Sequence, residues 1–281
     1  MLQVSLSCGA VEWESLHWMK TYGMKPYAQF AFVLVRPKSG GNIGSAARAI
    51  KNMGFDDLRL VAPEASTKSN DAHAMAVHAN DVLAHAKIFP SLGDAVEDCH
   101  LTVGTTCRGG PYRESVHPLR ESATELAEAS AANRIALIFG PEDTGLTNHE
   151  LKFCQKLITI PTSAEYASIN LAQSVILCAY ELRMALASEP RALTKEPLQL
   201  AGATEVDAAM ERMKEALLAI GFLPEENPDH LMFALRGIFG RSGLTPHELE
   251  ILNGIAKHTK WAAEGGHEIL RAKRAAGKKL R

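Results

Sequence analysis

The chain of 281 residues predicts an α/β fold built on a mostly parallel sheet, followed by a small all-helical C-terminal domain. From residue 30 to residue 187, short apolar runs alternate with segments of helical period, as strands do when helices join and cover them. The runs are apolar on both faces, which fits strands buried inside a parallel sheet. Beyond residue 204 the strand signal stops and only helical stripes remain.

Residues 30–35 (FAFVLV) give the first strand, and a glycine-rich turn from Ser39 to Gly44 follows. Ser45 is positioned to cap the next helix, Ala46, Ile50 and Met53 make its inner stripe, and Gly54 stops it. Leu58–Val61 is the second strand, 71–85 an Ala/His-rich helix, and Leu101–Gly104 a strand running into a Thr/Cys/Arg/Gly loop. A helix over 119–131, a strand over Ile135–Gly140, a short helix from Asn148 to Cys154 and a last strand over Leu157–Pro161 come next. A long helix from Asn170 to Ala187 closes the unit, with Leu171, Val175, Cys178, Leu182 and Leu186 on one face. The expected boundaries are an extension over 1–26, the α/β domain over 27–188, a linker over 189–204, and helices with a basic tail over 205–281. In that last part Met210, Met213, Leu217 and Ile220 form one stripe and His230–Ile238 a second helix. Thr245, Pro246 and Glu248 open a third with a capping box.

Apolar residues make up 46% and charged residues 22%, ordinary usage for a chain with a packed core. No run of ~18 apolar residues suggests a transmembrane helix. Glu12, Glu14 and His17 interrupt the first 23 residues, so no signal peptide is expected. The five cysteines (Cys8, Cys99, Cys107, Cys154, Cys178) are scattered and form no Cys/His cluster. Neither a disulfide framework nor a metal site is expected, and a reducing cytoplasm fits. Net charge is −2, but Gly265–Arg281 carries six basic residues against Glu268, a local +5 on a body of −7. Such a tail suits phosphate contacts; a solvated helix end is the plain alternative.

Three constellations can carry chemistry. The first is the glycine turn with Asn42, followed by Arg48 on the helix. Free N–H groups and the helix dipole converge at such a turn. Its glycines, at 40, 41 and 44, do not match G-x-G-x-x-G, yet Glu64 stands near the place of a ribose-binding acid. An NAD-type oxidoreductase therefore stays open. Arg48 points roughly 200° away from Ala46, hence away from the sheet, as any surface arginine would. The second is Phe139–Leu146 (FGPEDTGL), which puts Glu142 just past a strand's carboxyl end, where open α/β sheets bind ligands. A turn whose acids cap the next helix explains it equally well. The third, residues 160–172 (IPTSAEYASINLA), carries Ser168 and Asn170 into a helix start, where either alone reads as an N-cap.

Taken together the three resemble the signature motifs of the SpoU/TrmH group of SPOUT RNA methyltransferases, in its TrmJ-type branch. The matching residues are Asn42, Gly44 and Arg48; Phe139, Gly140, Glu142, Gly145 and Leu146; and Ile160, Pro161, Tyr166, Ser168, Asn170, Leu171 and Ala172. The segments around Leu217–Phe222, Arg236 and Glu248–Ile255 resemble the helical C-terminal domain of that branch. Pro141 departs from the pattern, which often has a basic residue there. The resemblance implies a trefoil knot, S-adenosyl-L-methionine as cofactor with no metal, tRNA as substrate, and a homodimer with the site at the subunit interface. It implies 2′-O-methylation, of nucleotide 32 in the anticodon loop. Arg48, Glu142, Ser168, Asn170 and Asn42 become the catalytic candidates. Gly104, Thr105, Thr106, Gly140, Ile160, Leu171 and Ala172 become the cofactor candidates, and Arg108, Arg271, Lys273 and Arg274 the RNA contacts. A non-catalytic RNA-binding module is the other alternative, and retention of Arg48, Ser168 and Asn170 together speaks against it.

Overall fold

The structure, a computed structural model, describes residues 26–107, 116–187, 198–240 and 243–268. Arg108, Arg271, Lys273 and Arg274, nearly all of the N-terminal extension and most of the expected linker lie outside the described residues.

Seven strands form one sheet: β1 (Phe30–Val35), β2 (Asp57–Val61), β3 (Lys87–Phe89), β4 (Leu101–Thr105), β5 (Val116–Pro118), β6 (Ile135–Phe139) and β7 (Lys156–Thr159). Their order is β3-β2-β1-β6-β4-β7-β5, and every pairing is parallel. The edge strands β3 and β5 were not expected from sequence. Three residues each is too short for a period to register, and Lys87 and Ile88 are exposed. The helices are α1 (Gly40–Asn52), α2 (Asn70–Ala76), α3 (Asn80–His85), α4 (Leu92–Ala95), α5 (Leu119–Ala129), α6 (Asn148–Leu151), α7 (Leu171–Ala187), α8 (Ala203–Ala219), α9 (Pro228–Gly240) and α10 (Pro246–Trp261).

Both faces of the sheet are covered. Phe30, Phe32 and Leu34 pack with Ile43 and Ile50 of α1 and with Val175 and Leu182 of α7. Val33 and Val35 face the other way, with Leu92, Val96, Ile138 and Leu151. All five residues of the expected α7 stripe are buried.

Two helices differ from expectation. The glycine run is not a turn before α1 but its first turn: Ser39, not Ser45, is the cap, its hydroxyl accepting from the Asn42 N–H. Gly44 then lies against α2, where a Cβ would stand 2.0 Å from the Ala72 carbonyl oxygen. The stretch expected as one helix over 71–85 breaks at Val77, which has φ +52°, with a 3-10 turn before α3. Its carbonyl accepts from Asn80 Nδ2 at 2.6 Å, so a side chain takes the place of a helical N–H. α6 also stops at Leu151, three residues short of the expected end.

The C-terminal helices enclose their own apolar cluster, including Met210, Met213, Leu223, Met232, Leu249 and Ala256. Thr245 and Glu248 form the expected capping box with Pro246 in the first turn. Ile220, expected on the inner stripe, is instead the C-cap of α8 and half exposed. This unit docks at the amino ends of β4 and β7. The Ala203 N–H donates to the Cys99 carbonyl at 2.8 Å, and Arg236 Nη1 to the Lys152 carbonyl at 3.2 Å. Asp229 accepts from Lys152 and Lys214 at 2.7 Å each. Residues 198–201, read as linker, are partly packed: Asn133 holds both the Leu198 carbonyl and the Leu200 N–H, and Leu200 and Ala201 are buried. Hydrogen bonds between this backbone and both the Asn133 side chain and the Leu244 carbonyl bring it about without any apolar period, so the sequence carries no trace of it.

Near the amino end of the sheet, Arg59 is 2% exposed and pairs with Asp57 and Asp98, while Arg134 pairs with both acids from the other side. Burial pushes the Asp57 carboxyl up, but Arg59 and Arg134 outweigh it and hold it below the usual range. For Asp98 the same balance ends lower, at about 2. A carboxyl depressed on folding stabilises the fold above its unfolded pKa, about 4 for aspartate, and the gain is lost as pH falls through the folded value. The thermal midpoint is therefore expected to fall between roughly pH 4 and pH 2. Replacing Asp57 with asparagine should flatten that pH dependence in a circular-dichroism melt series.

Candidate active site

The carboxyl ends of β4, β6 and β7 surround an open cleft of about 790 Å³, part of it open solvent. Its walls are residues 105–107, 139–146, Ile160, 167–169, Leu171 and Ser174. This is the strand edge at which open α/β sheets bind ligands.

The loop after β6 owes its shape to its glycines. A Cβ on Gly140 would stand 2.2 Å from the Gly145 carbonyl carbon and the Leu146 nitrogen, so the chain crosses itself there at backbone distance. Gly145 has φ +66°, open to glycine at no steric cost, and its N–H donates to the Pro141 carbonyl at 2.9 Å. Leu146 anchors the loop in the core, and Glu142 is left facing the start of α1.

There the three sequence motifs meet. Asn42 Nδ2 donates to Glu142 Oε1 at 2.7 Å, and Asn170 Nδ2 donates to Asn42 Oδ1 at 3.0 Å. Asn170 Oδ1 accepts from the N–H groups of Ala172 and Gln173 at 2.9 and 3.4 Å, capping α7. The polarity of the chain is fixed from one end. An ionised carboxylate only accepts, so Asn42 must present its NH₂ to Glu142 and its oxygen to Asn170. Asn170 is then left with its oxygen for the helix. The capping reading of Asn170 and the network reading hold together. Glu142 Oε2 also accepts from the Lys38 N–H at 3.1 Å, which places the carboxylate at the α1 N-terminus, the favourable end of the helix dipole.

Among the other expected site residues, Thr105, Thr106, Gly140, Ile160, Ser168 and Leu171 line the cleft. The Thr105 hydroxyl donates to the Ile138 carbonyl at 3.1 Å, and the Thr106 N–H to the Ile158 carbonyl at 3.0 Å, tying this wall to its neighbours. Gly104 and Ala172 are not on the cleft wall. Gly104 is where Cys154 passes, with its Sγ 2.6 Å from a Cβ built there, and Ala172 belongs to the first turn of α7. Arg48 is exposed and lies outside this cleft, and its side chain makes no hydrogen bond or ion pair with any described residue. Within one chain Glu142 pairs with Asn42, not Arg48. The glycines at 40 and 44 pack on Ser69 and Ala72, so the expected anion cradle before α1 is filled by protein. Glu64 sits on the loop after β2, away from the cleft.

Sequence reading missed Arg36, Lys38, Asp143 and Glu150. Lys38 Nζ pairs with Asp143 at 2.6 Å, and Arg36 pairs with the buried Glu150. Glu150 had a signal in the capping box Thr147-Asn-His-Glu150, which the structure forms. Partners more than a hundred residues apart leave none.

The fold is that of an open α/β protein with an all-parallel sheet and a cleft at the carboxyl ends of its central strands. A family model described as the SpoU rRNA methylase family matches residues 29–180, and one described as the tRNA methyltransferase TrmJ C-terminal domain matches residues 204–268. The tRNA (cytidine/uridine/adenosine-2′-O-)-methyltransferase TrmJ of Pseudomonas aeruginosa is 40% identical over 83% of this chain and 94% of its own. The tRNA (cytidine/uridine-2′-O-)-methyltransferase TrmJ of Salmonella choleraesuis is 37% identical over 79% and 93%. The crystal structure of TrmJ from Z. mobilis superposes with a TM-score of 0.68 at 32% identity, over 81% of this chain and 97% of that one. The chain therefore belongs to the SpoU methylase family, in its TrmJ branch.

Proposed function

We propose that the protein is an S-adenosyl-L-methionine-dependent ribose 2′-O-methyltransferase acting in the cytoplasm on tRNA, at nucleotide 32 of the anticodon loop. The hydrogen-bonded chain Asn170–Asn42–Glu142 beside the cleft carries the reading, because it joins residues of all three motifs from segments 100 to 128 positions apart. The lining suits the cofactor: Leu146, Ile160 and Leu171 offer apolar surface to a nucleoside, and Glu142 and Asp143 offer negative charge to a sulfonium. When bound, S-adenosyl-L-methionine supplies an electrophilic methyl group.

The protein's task is to bring a ribose hydroxyl in line with that methyl and to favour loss of its proton. Orientation supplies much of the rate. Arg48 stays protonated at ordinary pH, so its role is to clamp the adjoining phosphate or hydroxyl and to stabilise the developing alkoxide, not to act as a simple base. Asn42, Glu142 and Asn170 hold the wall it works against, and Ser168 lies at the same edge. Because Arg48 is exposed and lies outside its own cleft, it serves the cleft of a second subunit in a homodimer. Leu177, Tyr180 and Met184 support this: they form an exposed apolar stripe on α7, the helix packed beside α1. The chain leaving β7 closes a trefoil knot around this site, as family membership suggests.

The TrmJ relatives support tRNA as the substrate. RNA contacts come from Arg108, Arg271, Lys273 and Arg274, with affinity falling steeply as salt rises. The C-terminal helices form a separate tRNA-holding domain over 205–281. A chain ending after Gly202 is expected to keep methyl-donor binding and to lose at least tenfold in tRNA affinity, read by calorimetry and filter binding. Ending it there retains the buried Leu200 and its partner Asn133. Mass-spectrometric nucleoside mapping of tRNA incubated with protein and labelled methyl donor tests the whole reading. Label on a base, or none on RNA, would end it.

A further inference from the structure

The cleft wall formed by residues 140–146 is gripped from one short segment of chain. Directly after β1, Arg36, Lys38 and Asn42 reach in turn to Glu150, to Glu142 and Asp143, and again to Glu142. The far grip is the unusual one. Arg36 has φ +44°, a conformation non-glycine residues rarely adopt and one that persists only where the surroundings hold it. Its guanidinium meets the Glu150 carboxylate with both Nη atoms, Nη2 at 3.2 Å from Oε2. Glu150 is 6% exposed, and its Oε2 also accepts from the Thr147 N–H at 2.8 Å. Burial pushes this carboxyl up, yet the Arg36 and Thr147 hydrogen bonds hold it below the usual range.

α6, which carries Glu150, has four residues and begins directly after the cleft loop. A single turn has too few internal hydrogen bonds to hold itself in place. Leu146 and Leu151 pin it to the core from below. On the polar side Arg36 ties Glu150 to the chain after β1, while Arg236 and Asp229 hold Lys152 at the carboxyl end of the turn.

We propose that the Arg36–Glu150 pair is a positioning device that orders the wall from Gly140 to Thr147, so that Glu142 is held where Asn42 and the bound ligand meet it. Neither residue touches the cleft itself. The ligand side rests on the methyltransferase reading above; the ordering of the loop does not.

Single replacements leave a buried charge without its partner and destabilise the fold for that reason alone. The decisive variant is therefore the double replacement R36M/E150Q. It removes both charges together, and glutamine keeps the capping box with Thr147. The expected result is amide exchange at least tenfold faster over 141–149 with β1 and β2 unchanged, and S-adenosylhomocysteine bound about tenfold more weakly. The double variant's thermal midpoint should exceed that of either single variant, and an R36K variant, which keeps the charge but loses the two-pronged grip, should bind between the double variant and wild type. Wild-type exchange over 141–149 in the double variant overturns the proposal. So does faster exchange with affinity unchanged. If the wild type itself fails to bind S-adenosylhomocysteine while the loop exchanges faster in the double variant, the tether stands and the methyltransferase reading falls.

Discussion

Replacing Arg48 with alanine is expected to lower methyl transfer to tRNA by a factor of about 10²–10³ at saturating RNA, the loss typical of removing one donor aimed at developing negative charge. The fold should be indifferent to the change. Arg48 is exposed and pairs with no described residue, so the thermal midpoint should move little. A lysine at the same position keeps the charge but loses the planar fork, and should recover only part of the rate. The lesion should also be shared between subunits. If Arg48 serves the neighbouring cleft, a mixture of R48A chains with chains defective in Asn170 forms some dimers holding one intact site, and activity returns above that of either variant alone. Transfer by R48A within a few-fold of wild type would remove Arg48 from the mechanism. Failure of the mixture to complement would place Arg48 in its own subunit's site.

Gly44 is expected to tolerate an added methyl group poorly. A Cβ there would stand 2.0 Å from the Ala72 carbonyl oxygen and 3.0 Å from the Ala76 nitrogen, and both are backbone atoms that no rotamer change can move aside. α1 and α2 must separate. Overpacking of this kind costs about 3 kcal/mol, against about 1 kcal/mol returned by the better helix propensity of alanine. G44A should thus lose about 2 kcal/mol, a drop of roughly 4–8 °C in thermal midpoint for a chain of this size. Gly254 supplies the opposite case. It lies within α10, and an added methyl group would meet nothing inside 4 Å, so G254A should gain up to about 1 kcal/mol. A G44A midpoint equal to wild type would mean the two helices are not packed as described. Separation of α1 from α2 would also shift Asn42, two residues from Gly44, so methyl-donor affinity should fall with stability.

The parallel sheet, the order of its five longer strands along the chain and the stripe of α7 were legible in the sequence because burial on both faces leaves uninterrupted apolar runs and a long helix repeats its pattern. The edge strands β3 and β5 were not, since three residues carry no period. The Ser39 cap was mistaken for Ser45 because a glycine run reads as a turn until it is known that α2 lies close enough to need it. The motif residues could be picked out one by one, but each had an ordinary explanation as a cap, a turn or a surface charge.

What sequence alone determined was the set of local elements and the residues with unusual chemistry, because hydrophobic period and capping preference act over a few neighbours. It took the folded chain to show that Asn42, Glu142 and Asn170 share one hydrogen-bonded chain, that Arg48 stands outside its own cleft, and that Arg36 grips Glu150. Those relations span about 100 to 128 positions. They are set by the order in which β1, β6, β4 and β7 lie side by side, for which no local preference codes.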